Sequence, residues 1–254
     1  MGKILENFYD DALSPSAKEF GKTIAIIPRK INSLLSPVYN HLYFDEKIAE
    51  RTKELISQKV ENIDPDLLVP PDTYVAVPAL QSLSYSIDSK DLQNMYANLL
   101  AKSIVKTSKG FVHPSFVESL KQMSPLDAQL FQKLLQKRTV CLIDLVSCDQ
   151  YDEELEFYKS YDILESNIIG LNLSSHDMQS ASLCLLERLG FISITDKPLD
   201  TDNEYSAIMA SQEYQQLKSK HIDALNLGER KKSCFVTDFG TLFSKICLRD
   251  DFQL

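Results

Sequence analysis

The stretch SASLCLLERLGFISI, Ser180–Ile194, contains the sharpest change of predicted secondary structure in the chain. Its first part consists mostly of helix formers, and Gly190 predicts the helix end because glycine tolerates a left-handed backbone. The next residues, FISIT, alternate between apolar and polar side chains and therefore predict a strand. A helix that passes directly into a strand is typical of a winged helix-turn-helix, in which the helix reads DNA and the strand starts the wing.

The sequence on both sides of this stretch fits a domain that covers residues 122–254. SPLD at 124–127 is a capping-box pattern with proline at the first helical position, so it predicts a helix start. TVCLIDLV at 139–146 predicts a strand or a buried helix, because a short apolar run is compatible with both. KSCFV at 232–236 is a candidate second wing strand, and DFGTLFSKICL at 238–248 predicts a last helix. We therefore predict a winged-helix-like α+β domain with a small β-wing.

Residues 1–121 predict a separate helical region, so the chain as a whole is expected to be mainly α. A charged helix over 44–61 is followed by a linker near 62–72, where clustered proline and aspartate cannot continue a helix. The clearest helix is capped by Asp88 or Ser89. Its predicted apolar face consists of Leu92, Met95, Tyr96, Leu99, Leu100 and Ile104.

An amphipathic helix with a basic side is predicted over residues 17–35, and Pro28 predicts a kink in it. Its apolar residues recur at helical spacing, which favours packing against the helix's own domain. The same pattern also suits a peripheral contact with an anionic membrane or a partner. The basic residues that would make such a contact are Lys18, Lys22, Arg29 and Lys30.

The charge distribution argues against nucleic acid as the partner of the predicted winged helix. The chain has a net charge of -9. Residues 122–254 carry 13 basic and 21 acidic side chains, a net of -8, whereas residues 1–121 have a net of -1. Phosphate contacts require clustered basic residues, and the candidates in this half are Arg230, Lys231 and Lys232.

No pattern of a common catalytic or metal site is present in the sequence. The glycines are too dispersed for a dinucleotide-binding or phosphate-binding loop, and the cysteines and histidines lack metal-ligand spacing. Pro71-Asp72 with Asp88-Ser89-Lys90 fits the letters of a PD-(D/E)xK nuclease, but the second element opens a helix instead of lying on a strand. His176-Asp177 has the letters of a metal-dependent phosphohydrolase, but such an enzyme needs further histidine and aspartate ligands in a helical context. We therefore interpret the pair as the first turn of a helix, where aspartate is favourable to the helix dipole. We predict no catalytic residues, no metal and no cofactor.

The five cysteines are expected to be reduced, and the chain has no apolar run of membrane-spanning length. No secretory signal is apparent at the N-terminus, so a cytoplasmic protein is expected.

Three short segments resemble the bacterial abortive infection alpha family. They are LLA at 99–101, VHPSFV at 112–117 and MSPLDA at 123–128, where Met123 stands in place of the more usual leucine. LCLLERLGFI and VTDFGTLFSKIC are similar to the second half of that family. The resemblance covers about residues 69–247 and implies phage defence, without catalytic residues that can be mapped onto this chain.

We therefore expect a non-enzymatic anti-phage protein that acts through protein–protein contacts. The partner is unknown, and a phage-encoded protein is one candidate; a homo-oligomer also stays open. A winged-helix transcriptional regulator is the alternative function, and a nuclease is the third. Salt-dependent DNA binding would favour the regulator, and Mg²⁺-dependent cleavage would favour the nuclease.

Overall fold

The computed structural model describes residues 27–36, 46–86, 89–152, 157–171 and 173–252. Its contacts divide the chain into two compact units. The N-terminal unit comprises the described residues of Met1–Gln122 and Ser244–Leu254. The sheet unit comprises the described residues of Met123–Phe243.

The N-terminal unit is helical. Its described helices are α1 (27–36), α2 (Glu46–Lys59), α3 (Thr73–Tyr85), α4 (Lys90–Ser103) and α5 (Ser115–Gln122). Short 3₁₀ turns lie at Pro65–Leu67 and Lys109–Phe111.

Helix α4 is the centre of the N-terminal unit. Ser89 caps it, with its Oγ accepting a hydrogen bond from the backbone N of Leu92 at 3.3 Å, so the helix predicted there is confirmed. The predicted apolar face is buried, and Leu99 is fully buried. The predicted linker near 62–72 is tied to the end of this helix, because the backbone N of Val69 donates to Ile104 O at 2.8 Å.

The C-terminal residues of the chain also pack on α4. A π-helical turn, Ser244–Leu248, belongs to the N-terminal unit although it directly follows the sheet unit in sequence. Asn98 Nδ2 donates to Cys247 O at 3.0 Å, and the buried Lys102 Nζ donates to Arg249 O. These two hydrogen bonds join residues that are 149 and 147 positions apart in the chain.

The sheet unit contains an antiparallel four-stranded sheet within its described residues. The strands are β1 (Thr139–Asp152), β2 (Phe157–Ile168), β3 (Ile192–Thr195) and β4 (Leu227–Val236), in the order β2-β1-β4-β3. The described helices are α6 (Pro125–Lys137), α7 (His176–Arg188), α8 (Asp202–Met209), α9 (Gln212–Lys220) and α10 (Asp238–Phe243).

The first half of strand β1, residues 140–146, is buried on both faces of this sheet. Cys141, Ile143 and Leu145 lie in a core cluster with Tyr205 of α8 and Tyr214 of α9. The alternate residues of β1, Leu142, Asp144 and Val146, are buried as well. A strand buried on both faces loses the alternating pattern, which is why the sequence left strand and buried helix open at 139–146.

Several predicted features of the sheet unit are confirmed. The capping box at Ser124 and Asp127 is present at the start of α6. Gly190 has φ 77° after α7, and the predicted strands at 191–195 and 232–236 pair antiparallel as β3 and β4. The sheet is larger than the predicted small β-wing, because β4 also pairs along its length with β1, and β1 pairs with β2.

Candidate functional site

Glu165, on edge strand β2, holds two histidines that are far apart in the sequence. His221 Nε2 lies 2.9 Å from Glu165 Oε1, and His176 Nε2 lies 3.4 Å from Glu165 Oε2. The Glu165 side chain is 15% exposed and that of His176 is 8% exposed, so most of the contact is withdrawn from solvent. We call Glu165, His176, Asp177 and His221 the histidine–carboxylate cluster.

Three elements position this cluster. His176 is the first residue of α7, with Ser175 at the N-cap, and Asp177 follows it in the first turn. His221 directly follows α9. Helix α7 packs along the end of β2, since Ser180 Oγ lies 3.2 Å from Ser166 Oγ. This contact keeps the start of α7 beside Glu165.

The cluster has the donor atoms of a divalent-cation site. The ligand atoms of Glu165, His176 and Asp177 all lie within 4.8 Å of one another. Imidazole nitrogen and carboxylate oxygen are ligands that zinc accepts. Asp177 is exposed, so one side of the cluster is open to solvent.

A pocket of about 530 Å³ adjoins the cluster. His176 lines it together with Ser174 before α7, and Glu213 and Lys220 of α9. Gln179, which follows His176 by one turn, donates from Nε2 to Glu213 Oε1 at 3.0 Å. Within the described residues, Gln179 Oε1 and Glu213 Oε2 are buried without a hydrogen-bond donor.

The predicted nucleic-acid contacts Arg230, Lys231 and Lys232 lie on β4, and each faces carboxylates of its own unit. Arg230 is 3.0 Å from Asp144 Oδ2 and 3.1 Å from an oxygen of Asp196. Lys231 Nζ is 3.0 Å from Asp202 Oδ1. Ion pairs with these carboxylates compete with phosphate for the same cations.

Lys232 is held inside the sheet unit. Its residue is 8% exposed, and Nζ lies 3.3 Å from Asp144 Oδ2 and 3.0 Å from Asn167 Oδ1. Asp144 is fully buried and also accepts a hydrogen bond from the backbone N of Asn167 at 2.8 Å. Arg230 and Lys232 thus compensate a buried carboxylate, which a sequence pattern of three adjacent basic residues does not reveal.

The predicted membrane or partner face is only partly within the described residues. Lys18 and Lys22 lie outside them, Arg29 is exposed, and Lys30 Nζ donates to Pro65 O. The apolar side of α1 is buried in the N-terminal unit at Ile27, Ile31 and Leu35. Among the described residues, no helix combines the length and apolar character needed to cross a bilayer.

The described residues that match the PD-(D/E)xK nuclease pattern have structural roles. Asp72 forms an ion pair with Lys109 at 2.8 Å, and the hydrogen bond from Lys109 holds the pKa of Asp72 below its ordinary value. Ser89 caps α4, and Lys90 begins it. Asp88 lies outside the described residues.

The histidine–carboxylate cluster was not predicted. His176-Asp177 was interpreted as a helix start, which it is, but Glu165 and His221 reach it only through the packing of β2 and the segment after α9. The short spacing of His176 and Asp177 was the one available signal. Adjacent histidine and aspartate residues indicate a metal site only when a third ligand is known to lie close to both.

The family comparison matches most of the sequence. A protein-family model described as abortive infection alpha matches residues 44–247. Among curated proteins, no sequence match reaches significance.

A solved structure, that of an uncharacterized protein from the hydrocarbon-degrading marine bacterium Alcanivorax borkumensis SK2, is similar at 14% identity with a TM-score of 0.35. The alignment covers 57% of this chain and 96% of that chain. This similarity is too low to carry an argument about fold or function.

Proposed function

Because the chain belongs to the abortive infection alpha family, we propose that it acts in phage defence by binding a partner protein through its sheet unit, without a catalytic step of its own. Family membership points to abortive infection, in which an infected cell arrests before phage can mature. The surface of the sheet unit supports binding of a partner protein.

An exposed apolar patch on the sheet unit carries this proposal. Ile222 is 78% exposed and Leu225 is 67% exposed, and both lie in the segment 221–226 between α9 and β4. Ile163, on edge strand β2, is 50% exposed. We call Ile163, Ile222 and Leu225 the apolar patch.

The segment 221–226, which presents Ile222 and Leu225 of this patch, is anchored at both ends. His221 contacts Glu165 of β2 at 2.9 Å, and Ser147 Oγ of β1 donates to Leu225 O at 2.7 Å. Asn226 Nδ2 donates to Cys148 O at 3.1 Å. The apolar side chains are therefore held outward on an ordered backbone, and a preorganised apolar surface loses little entropy when it binds.

A protein suits this surface better than nucleic acid does. The net charge of -8 on residues 122–254 repels phosphate. Burying large apolar side chains in an interface is favourable. Within the described residues β2 is also an edge strand of the sheet, which a partner strand can extend. A phage-encoded protein is one candidate for the partner, and a second copy of this chain is another.

Phage plating on bacteria that express the chain tests the proposal. We expect the Ile222→Glu/Leu225→Glu double variant to lose protection, because two carboxylates replace the apolar patch. Phe111→Glu is the matched control, since Phe111 is 50% exposed on the N-terminal unit. Far-UV circular dichroism confirms that each variant is folded. A folded double variant that protects as well as the parent would rule out this surface.

A transcriptional regulator with a winged helix is the second candidate function. The observation that favours it is α7 followed by β3, which pairs antiparallel with β4; a reading helix followed by a wing would have a similar order. Two observations favour partner-protein binding over DNA binding. The sheet unit is acidic, and its candidate phosphate contacts already form ion pairs, at Arg230, Lys231 and Lys232.

A further inference from the structure

We propose that Glu165, His176 and Asp177 bind a divalent transition-metal ion, and that zinc is the ion this site prefers. His221 acts as the residue that orients Glu165. The inference goes beyond the proposed partner binding and does not depend on it. It also departs from the sequence-based expectation of no metal.

The spacing of the ligand atoms fits a zinc ion. In a tetrahedral site with bonds of about 2.0–2.2 Å, neighbouring ligand atoms are about 3.3–3.6 Å apart. His176 Nε2 and Glu165 Oε2 are separated by 3.4 Å. Asp177 supplies a third ligand atom within 4.8 Å of the other two, and its side chain is exposed.

The chemistry of the donors selects the metal. Calcium and magnesium favour sites made of oxygen ligands, whereas an imidazole with two carboxylates suits zinc. Three protein ligands leave a fourth position for water. Of the three ligands, His176 also lines the adjoining pocket of about 530 Å³.

His221 contacts the carboxylate oxygen that His176 does not face. It lies 2.9 Å from Glu165 Oε1, which leaves Oε2 for the metal. With the proton on Nε2, His221 donates a hydrogen bond to Glu165 and fixes its orientation. Partners of this kind typically change metal affinity by about 10–100-fold.

Two buried acceptor atoms belong to residues near the start of α7 and in the adjoining pocket. Gln179 is 1% exposed, and in the described part of the chain its Oε1 has no hydrogen-bond donor. Glu213 lines the same pocket as His176, and its Oε2 is also buried without a hydrogen-bond donor among the described residues. Buried acceptors without donors are costly.

The test uses the full chain, first stripped of metal with a chelator and then titrated with zinc chloride alone. We expect one zinc per chain by calorimetry and by metal analysis after gel filtration. His176→Gln and Glu165→Gln should abolish this stoichiometric binding. His221→Ala should weaken it by about 10–100-fold, because only the orientation of Glu165 is lost.

Two control variants separate this site from adventitious zinc. His113→Gln removes an exposed histidine of the N-terminal unit, and Cys184→Ser removes the exposed thiol on α7. Both should bind zinc like the parent. Loss of binding in Cys184→Ser, or unchanged binding in His176→Gln, would overturn the proposal.

A measurement on the parent protein keeps the proposal testable if the variants do not fold. Cobalt(II) should bind in place of zinc and give a visible d–d spectrum of nitrogen and oxygen ligands, without a thiolate charge-transfer band. A thiolate band, or no cobalt or zinc binding to the folded parent, would refute the site.

Discussion

Gly240 shows how a single residue determines the packing of the sheet unit. A Cβ at this position would lie 2.1 Å from the backbone oxygen of Phe191. The close approach allows the rings of Phe191 and Phe243 to stack, with centroids 4.1 Å apart. Phe131 of α6 packs on the same Phe191 ring at 5.3 Å. The absence of a side chain at Gly240 thus brings α10 against the residue that starts the β3 segment.

We predict that Gly240→Ala destabilises the protein by about 1–3 kcal/mol or more, because the backbone of Phe191 must move to admit the methyl group. Gly110→Ala is the control, since a Cβ at Gly110 meets nothing within 4 Å. Urea unfolding followed by circular dichroism measures both variants. Equal stability of Gly240→Ala and the parent would show that the segment relaxes without cost.

At the scale of elements, Lys102 of α4 anchors the C-terminal residues. It is 1% exposed, donates to Arg249 O, and lies 5.4 Å from the ring centre of Phe252. Burial lowers the pKa of Lys102 from 10.5 to about 8. Lys59 of α2 adds an ion pair with Asp250 at 2.8 Å. Two helices of the N-terminal unit therefore bind the segment that follows the π-helical turn.

The lowered pKa of Lys102 predicts a pH dependence of stability. Between about pH 8 and 10.5 the unfolded chain binds a proton that the folded chain does not, so the free energy of unfolding rises with pH in that range. Below about pH 8 the cost of the buried charge is fully present. Lys102→Met lacks this group, so the parent should gain stability relative to the variant as pH increases from about 8 to 10.5.

Urea unfolding of the parent and Lys102→Met at several pH values measures this difference. Lys106→Met, at an exposed lysine close in sequence, should keep a constant difference from the parent across the same range. A constant difference for Lys102→Met as well would mean that Lys102 remains charged in the folded protein.

At the scale of the whole molecule, the charge distribution separates the two candidate functions. Residues 122–254 have a net charge of -8, and the basic residues of β4 face Asp144, Asp196 and Asp202. We expect no tight binding of duplex DNA, even at low salt where phosphate contacts are strongest. A mobility-shift assay measures this.

The structure also decides which variant makes this assay interpretable. Changing Arg230 or Lys232 to glutamate would place a second carboxylate beside the buried Asp144 and damage the fold. Lys231→Glu is the suitable change, because Lys231 is partly exposed and its partner Asp202 lies on the surface. Tight, salt-sensitive binding that Lys231→Glu weakens would support the regulator and contradict our expectation.

Local chemistry made much of the secondary structure predictable. The caps at Ser89 and Ser124, the helix end at Gly190 and the strand at 191–195 depend on side-chain and backbone preferences within a few residues. The segment 196–230 was less predictable: it contains α8 and α9, whose buried Tyr205 and Tyr214 pack against one face of the sheet. Few apolar residues mark such short helices, so their periodicity is weak.

The sequence by itself determined the mainly helical character, the position of the strongest helices, the acidic charge and the resemblance to the abortive infection alpha family. Tertiary structure alone decided which distant residues meet. It brought His176 and His221 to Glu165, and it turned Arg230 and Lys232 toward Asp144. The physical reason is that capping and periodicity act over a few residues, whereas these contacts depend on strand order and helix packing across tens of residues.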